Sequence, residues 1–162
     1  MNNNDFCLAD AIDAIEEVLA SGASFRIYPT GVSMLPLLVQ GRDSVVLTRN
    51  ADIPAKKHDI AFYRRKDGHF VLHRVMKIEA DGTYTMCGDN QLVLEKGIAP
   101  EQIIARVSEV CRKDKDIDLD GVGYRLYVLL WTKKPIRWIA FFPRRAASKI
   151  KRIFRRLFSK DA

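Results

Sequence analysis

Between residues 24 and 111 no single periodicity lasts long. Six short runs, at 24–28, 44–49, 59–64, 70–79, 83–87 and 103–111, are cut apart by Pro29, Gly41, Pro54, Lys66-Asp67-Gly68, Asp81-Gly82 and Gly88. Runs of this length bounded by turn formers read as β-strands, and the two Asp-Gly pairs read as hairpin turns. Many short strands with turns between them predict a mainly β (α+β) body, an antiparallel and partly closed sheet. In the 70–79 run the pleat places His73 on one face with Val71, Val75 and Lys77, and Phe70, Leu72, Arg74, Met76 and Ile78 on the other.

The flanks have a different texture. Before the strands, Phe6, Leu8, Ile12, Ile15, Val18 and Leu19 recur at helical spacing, with Asn4 or Asp5 as cap, Ser21-Gly22 as stop, and Asp10, Asp13, Glu16 and Glu17 opposite. That predicts an amphipathic helix within 1–22, lying on the β domain of 23–111. Residues 112–123 form a charged run that reads as a solvated linker. Residues 124–162 form a basic, aromatic, helical tail.

Charge divides along the same boundary. The formal charge of the 162-residue chain is +7, yet residues 1–123 hold 15 Lys and Arg against 19 Asp and Glu, while residues 124–162 hold 12 against 1. A negatively charged partner should therefore meet the C-terminal segment. At 48% hydrophobic residues the chain can bury a core without disulfides. Its three cysteines, Cys7, Cys87 and Cys111, are widely spaced and read as reduced thiols. His69 and His73, four apart on one strand, offer with Cys87 only three of the four ligands of a structural zinc site, so no metal is expected. No secretory leader pattern and no apolar run of 18 residues is visible, so no membrane span is expected.

Three short motifs carry the chemistry. Gly31-Val32-Ser33-Met34-Leu35-Pro36 supplies a hydroxyl; His73-Arg74-Val75, forty residues on, supplies a base; Gly88-Asp89-Asn90 and Glu95 supply acids. A serine hydroxyl is a weak nucleophile until a neighbour takes its proton and a third group holds that neighbour in place. In this order and spacing the motifs resemble the type I signal peptidases, in the superfamily that also holds the LexA-type self-cleaving repressors. The serine signature Gly-x-Ser-Met-x-Pro matches at Gly31, Ser33, Met34 and Pro36. Bacterial signal peptidases and LexA-type proteins use lysine as base, whereas His73-Arg74-Val75 looks like the histidine of the archaeal and endoplasmic-reticulum type. Gly88-Asp89-Asn90 is similar to that group's third signature, with Glu95 where a second Asp is usual, Gln91 where a second Asn is usual, and Leu94 in the place of a paired acid.

The resemblance covers residues 25–110 and implies a coiled β fold of the signal peptidase/LexA type and a serine endopeptidase that cleaves a leader or signal segment from a polypeptide. It implies Ser33 as nucleophile, His73 as general base, and Glu95, with Asp89 as second choice, as the acid that orients the imidazole. The Ser33 backbone N–H and the Thr30 hydroxyl are the candidate oxyanion donors. Met34 is a candidate for the apolar lining of a substrate pocket or for the core. No cofactor is implied. The family's N-terminal transmembrane anchor has no counterpart here; the helix of 1–22 occupies its place.

The tail reads first as a membrane-surface element, because Trp131, Trp138, Phe141, Phe142, Phe154 and Phe158 suit the interface. Each basic residue near anionic lipid, Arg152 and Arg155 among them, adds about 1 kcal/mol. Nucleic-acid binding would use the same charges but does not need so many exposed aromatics. The expectation is a peripheral or monotopic membrane protein, with the cytoplasmic face favoured because polybasic segments prefer that leaflet. Two other classes stand beside the peptidase: a LexA-type self-cleaving regulator, and a non-catalytic peptidase-like module that binds membrane or nucleic acid.

Overall fold

A computed structural model describes residues 8–113 and 115–140, with side chains from residue 14 onward. The element order is α1 (Leu8–Ala20), β1 (Phe25–Ile27), β2 (Asp43–Arg49), β3 (Ile60–Arg64), β4 (Phe70–Ile78), β5 (Tyr84–Cys87), β6 (Glu95–Ile98), β7 (Ile103–Arg112), β8 (Lys115–Ile117) and α2 (Val122–Trp131). A further helical stretch follows over 134–140.

All eight strands belong to one antiparallel sheet, in the order β1-β2-β7-β3-β4-β5-β6, which does not close on itself. Strand β8 pairs with the end of β7, Val110 opposite Ile117. Mostly β with short helices, the architecture is α+β. The run at 112–123, expected as a solvated linker, thus contributes a strand: Asp116 and Lys115 stand opposite Cys111 and Arg112, and their exposed side chains let a charged sequence satisfy its backbone in the ladder.

Local sequence explains the two hairpins that build the site. Between β3 and β4, Arg65 N–H donates to His69 O (2.8 Å) and Gly68 N–H to Arg65 O (3.0 Å), with Gly68 at φ 86°. Between β4 and β5 the arrangement recurs, Glu79 N–H to Thr83 O (2.8 Å) and Gly82 N–H to Glu79 O (3.0 Å), with Gly82 at φ 83°. Each is a short turn ending in a left-handed residue, which glycine adopts without a Cβ clash. These turns fix the register, Tyr63 opposite Val71 and Arg74 opposite Cys87.

The sheet buries both faces. One core gathers Ile15 and Leu19 of α1 with Met34, Leu37, Leu38, Val45, Leu47, Phe62 and Leu72; the other gathers Ala61, Tyr63, Val75, Tyr84, Met86 and Ile98. Burying a side chain of the Val, Leu or Phe kind contributes about 1.5–3 kcal/mol, and among the described side chains of α1 Ile15 and Leu19 supply it. The alternation along β4 separates the two: Leu72 packs in the first core, while Val71 and Val75 line the second, the side to which His73 belongs.

Candidate active site

His73 sits mid-strand, 1% exposed, on the second face of β4. Its Nδ1 lies 3.2 Å from Glu95 Oε1 and 3.2 Å from the Tyr63 hydroxyl. Glu95 opens β6 opposite Met86, which brings its carboxylate over the same face. The Tyr63 hydroxyl donates to Glu95 Oε2 at 2.9 Å, and Arg65 Nε donates to the same oxygen at 2.8 Å while its terminal amine bonds Glu95 Oε1.

Electrostatics assign the protons. Burial alone pushes the Glu95 carboxyl up, but hydrogen bonds from Arg65 and Tyr63 and the nearby imidazole outweigh it, so the group is held below the ordinary Glu value. Glu95 is therefore an ionised acceptor. Burial, then the Glu95 hydrogen bond and charge, push the Tyr63 phenol well up and keep it a proton donor. Because Tyr63 gives its hydrogen to Glu95, the proton between His73 and Glu95 belongs to Nδ1, which leaves the Nε2 lone pair as the basic site. Burial also lowers the His73 pKa below 6.5, against the opposing pull of Glu95.

Ser33 arrives by main chain. It begins the turn at 33–37 and is half-buried. Its carbonyl accepts the Asn90 N–H at 2.7 Å, and the Val32 carbonyl accepts the Asn90 side-chain amide at 2.9 Å. The approach is close: a Cβ built on Gly88 would lie 2.6 Å from Ser33 O. Since Arg74 pairs with Cys87, continuing that register by one residue sets Gly88 beside His73, in strands spaced about 4.8 Å apart. The Ser33 main chain is thus held against the loop that continues β5 past the register of Arg74 and Cys87. Among the described residues Ser33 Oγ is not hydrogen-bonded to His73.

Asp89 occupies the other side of the same strand pair. It is 2% exposed and binds Arg74 through both oxygens, Arg74 Nε to Oδ1 at 2.8 Å and a terminal amine to Oδ2 at 2.6 Å. Arg74 is itself fully buried and also donates to the His58 carbonyl (2.8 Å) and the Tyr124 hydroxyl (3.1 Å). Burial opposes its charge, yet the Asp89 carboxylate raises its pKa further above the ordinary range, so the pair is an ion pair. Of the two candidate acids, then, Glu95 contacts His73 and Asp89 braces the loop that follows β5.

Other expected residues fall elsewhere. Thr30 is exposed. Met34, 4% exposed, packs in the first core, because the turn at 33–37 directs it inward with Leu37 and Leu38. Trp131, expected at a membrane interface, stacks on Tyr127 at 5.7 Å between centroids and donates its indole N–H to the Asp89 carbonyl at 2.8 Å. Trp138 is 56% exposed. Phe141, Phe142, Arg152, Phe154, Arg155 and Phe158 lie outside the described residues. His69 is exposed beside Asp67 in the hairpin turn, and among the described residues no cluster of His, Cys, Asp and Glu is suited to a metal.

Tyr63 and Arg65 were not anticipated, although a signal for them existed. Tyr63 lies in β3 and Arg65 one residue past its end, just before the Asp67-Gly68 turn, so a hairpin there carries both into the neighbourhood of His73. Nothing local marks Arg137, which reaches the loop at Gly88 from 49 residues away in sequence. No protein-family model matches the chain, and no curated protein matches it in sequence.

Proposed function

We propose that the protein is a serine endopeptidase of the signal peptidase superfamily, histidine type, whose sheet is a variant of that family's coiled β fold. One observation carries the reading: a buried imidazole held at Nδ1 by an ionised carboxylate, on the strand β4 whose partner β5 runs into the Gly88–Asn90 loop that bonds the Ser33 main chain. Ser33 Oγ attacks the scissile carbonyl, His73 Nε2 takes its proton and returns it to the leaving amine, and Glu95 holds the tautomer and stabilises the imidazolium. A serine–histidine hydrogen bond that is open in the free enzyme commonly tightens only with substrate bound. The substrate is an extended polypeptide that adds a strand to a sheet edge.

The membrane reading is part of the proposal. No helix among the described residues is long and apolar enough to cross a bilayer. The outer side of α2 leaves Leu126, Leu129 and Leu130 exposed, and Trp138 and Ile139 are exposed just beyond it. With the basic charge of residues 124–162, that surface suits an anionic leaflet, and we favour peripheral attachment on the cytoplasmic side.

Incubating the purified chain with peptides that carry leader-type cleavage sites, alongside Ser33→Ala, tests the chemistry. Cleavage by the parent chain that is abolished in the variant is the expected result. Cleavage that persists in Ser33→Ala contradicts the mechanism, and inertness of both proteins favours a binding module.

A further inference from the structure

The loop at 87–91 is gripped from behind by the C-terminal segment. Arg137, in the helical stretch at 134–140, is 2% exposed, and one terminal amine donates to the Gln91 carbonyl (2.8 Å), the Gly88 carbonyl (3.3 Å) and the Cys87 sulfur (3.1 Å). The other terminal amine contacts the Met76 sulfur on β4 at 3.7 Å. A guanidinium carried this far into a protein loses its hydration, and the carbonyls it meets are those of the turn closed by Gln91 N–H to Gly88 O at 3.0 Å.

That turn is the one whose Asn90 holds both the Ser33 and the Val32 carbonyl. Its Asp89 is held in the same way from α2, by the Tyr127 hydroxyl at 2.9 Å and the Trp131 indole. The side chain at 137 and the main chain at 33 therefore bond the same four-residue turn, Arg137 at Gly88 and Gln91 and the Ser33 carbonyl at Asn90. A shift of that turn moves Ser33 relative to His73, while the Tyr63–Glu95–Arg65 cluster, anchored on β3 and β6, stays where it is.

We infer that Arg137 is a positioning residue for Ser33, and that residues 134–140 act as a wedge setting the nucleophile's distance from the imidazole; the inference rests on the reading of Ser33 and His73 as nucleophile and base. Arg137 touches neither reacting atom. Its loss should slow attack by Ser33 without altering the ionisation of His73, because no hydrogen bond of the His73 cluster involves it.

The test compares the full chain with Arg137→Gln and Arg137→Lys in two measurements. One is the rate at which a serine-directed phosphonylating probe modifies Ser33 as a function of pH. The other is hydrogen exchange at the Asn90 amide. For Arg137→Gln we expect faster exchange at Asn90 and labelling slowed roughly 10- to 100-fold with an unchanged apparent pKa, as a small misplacement of a nucleophile predicts. Arg137→Lys, which keeps the charge but cannot span several carbonyls, should fall between. A folded Arg137→Gln that labels at the parental rate, or that leaves Asn90 exchange unchanged, overturns the inference alone. A parent chain that is not labelled at Ser33 overturns the function reading, and the inference with it. If Arg137→Gln does not fold, the same comparisons are made on Arg137→Lys, and parental values there overturn the proposal.

Discussion

His73 Nδ1 lies 3.2 Å from Glu95 Oε1, and the glutamate is tied down through both oxygens by Arg65. A carboxylate held in this way cannot rotate off the imidazole without breaking its guanidinium contacts. That makes the pair a rigid unit rather than a chance surface contact.

Replacing Glu95 by Gln keeps the size of the side chain and removes its charge, and the new amide can donate to Nδ1. The ring would then favour the tautomer with its proton on Nε2, which cannot act as base toward Ser33. We expect peptide cleavage to fall by about 10⁴-fold, as when the acid of a serine triad is neutralised. Steady-state kinetics on the folded variant read this directly, and a loss below tenfold would show that Glu95 does not set the tautomer.

The pH dependence follows from the same burial. His73 titrates below 6.5, so its neutral, basic form predominates at pH 7 and the rate should decline as the pH drops through a value under 6.5. Stability moves in the same direction. Below 6.5 an unfolded chain takes up a proton at this histidine before the folded one does, so folding free energy falls with pH in that window. Glu95, with its folded value below 4.5, adds a further loss as the pH passes down through that region. Rate and unfolding midpoint measured from pH 4 to pH 8 should both rise with pH over the acid half of the range. In His73→Gln, which loses the base and with it measurable cleavage, the histidine step in the unfolding midpoint should vanish.

Much of this site was legible because short-range chemistry fixed it. The Asp67-Gly68 and Asp81-Gly82 turns set the β3–β4–β5 register, and the pleat of β4 placed His73 on one face with Val71 and Val75. Glu95 entered through the resemblance to the third signature of the histidine-type signal peptidases. What could not be read was long-range. Strand β6 is four residues containing Lys96 and Gly97 and carries no alternating apolar signal, so only its pairing with β5 makes it a strand. Strand β8 was masked by its charges. The aromatics of α2 suited a lipid interface and a protein interface equally well, and the choice of Tyr124, Tyr127 and Trp131 to face Arg74 and Asp89 depends on a buried ion pair 35 or more residues earlier. Composition cannot report which face of a helix meets such a pair.

Asp89 and Glu95 should separate cleanly by mutation. Asp89→Asn leaves the Arg74 guanidinium buried without a counter-charge and replaces one of the two oxygens that accept from Arg74 and the Tyr127 hydroxyl by an amide group that cannot accept. Breaking a buried ion pair from one side typically costs about 3–5 kcal/mol. We expect a large drop in the denaturant midpoint for Asp89→Asn, and a far smaller one for Glu95→Gln, because the Glu95 carboxylate and its Arg65 partner are both partly exposed. Equal stability losses in the two variants would contradict this division of labour.

Gly88 gives the sharpest geometric test, because the constraint there is contact rather than backbone freedom: the residue has no positive φ, yet a Cβ would approach Ser33 O to 2.6 Å. Both atoms belong to a tight corner. Ser33 O is fixed by Asn90 N–H, and Gly88 N–H faces Gln91 Oε1 at 3.4 Å, so neither main chain can retreat without breaking the turn. Overpacking of this kind costs about 1–3 kcal/mol. The displaced atom is the carbonyl of the nucleophile's own residue, so the effect on rate should exceed the effect on stability. For Gly88→Ala we expect a modest fall in the unfolding midpoint with a kcat lower by roughly 100-fold, the scale of an ångström-level misplacement. Enlarging the side chain in Gly88→Ser should not restore it. Parental kcat in Gly88→Ala would mean that the Ser33 loop can move aside freely, and that its seat on Gly88 does not set the nucleophile's position.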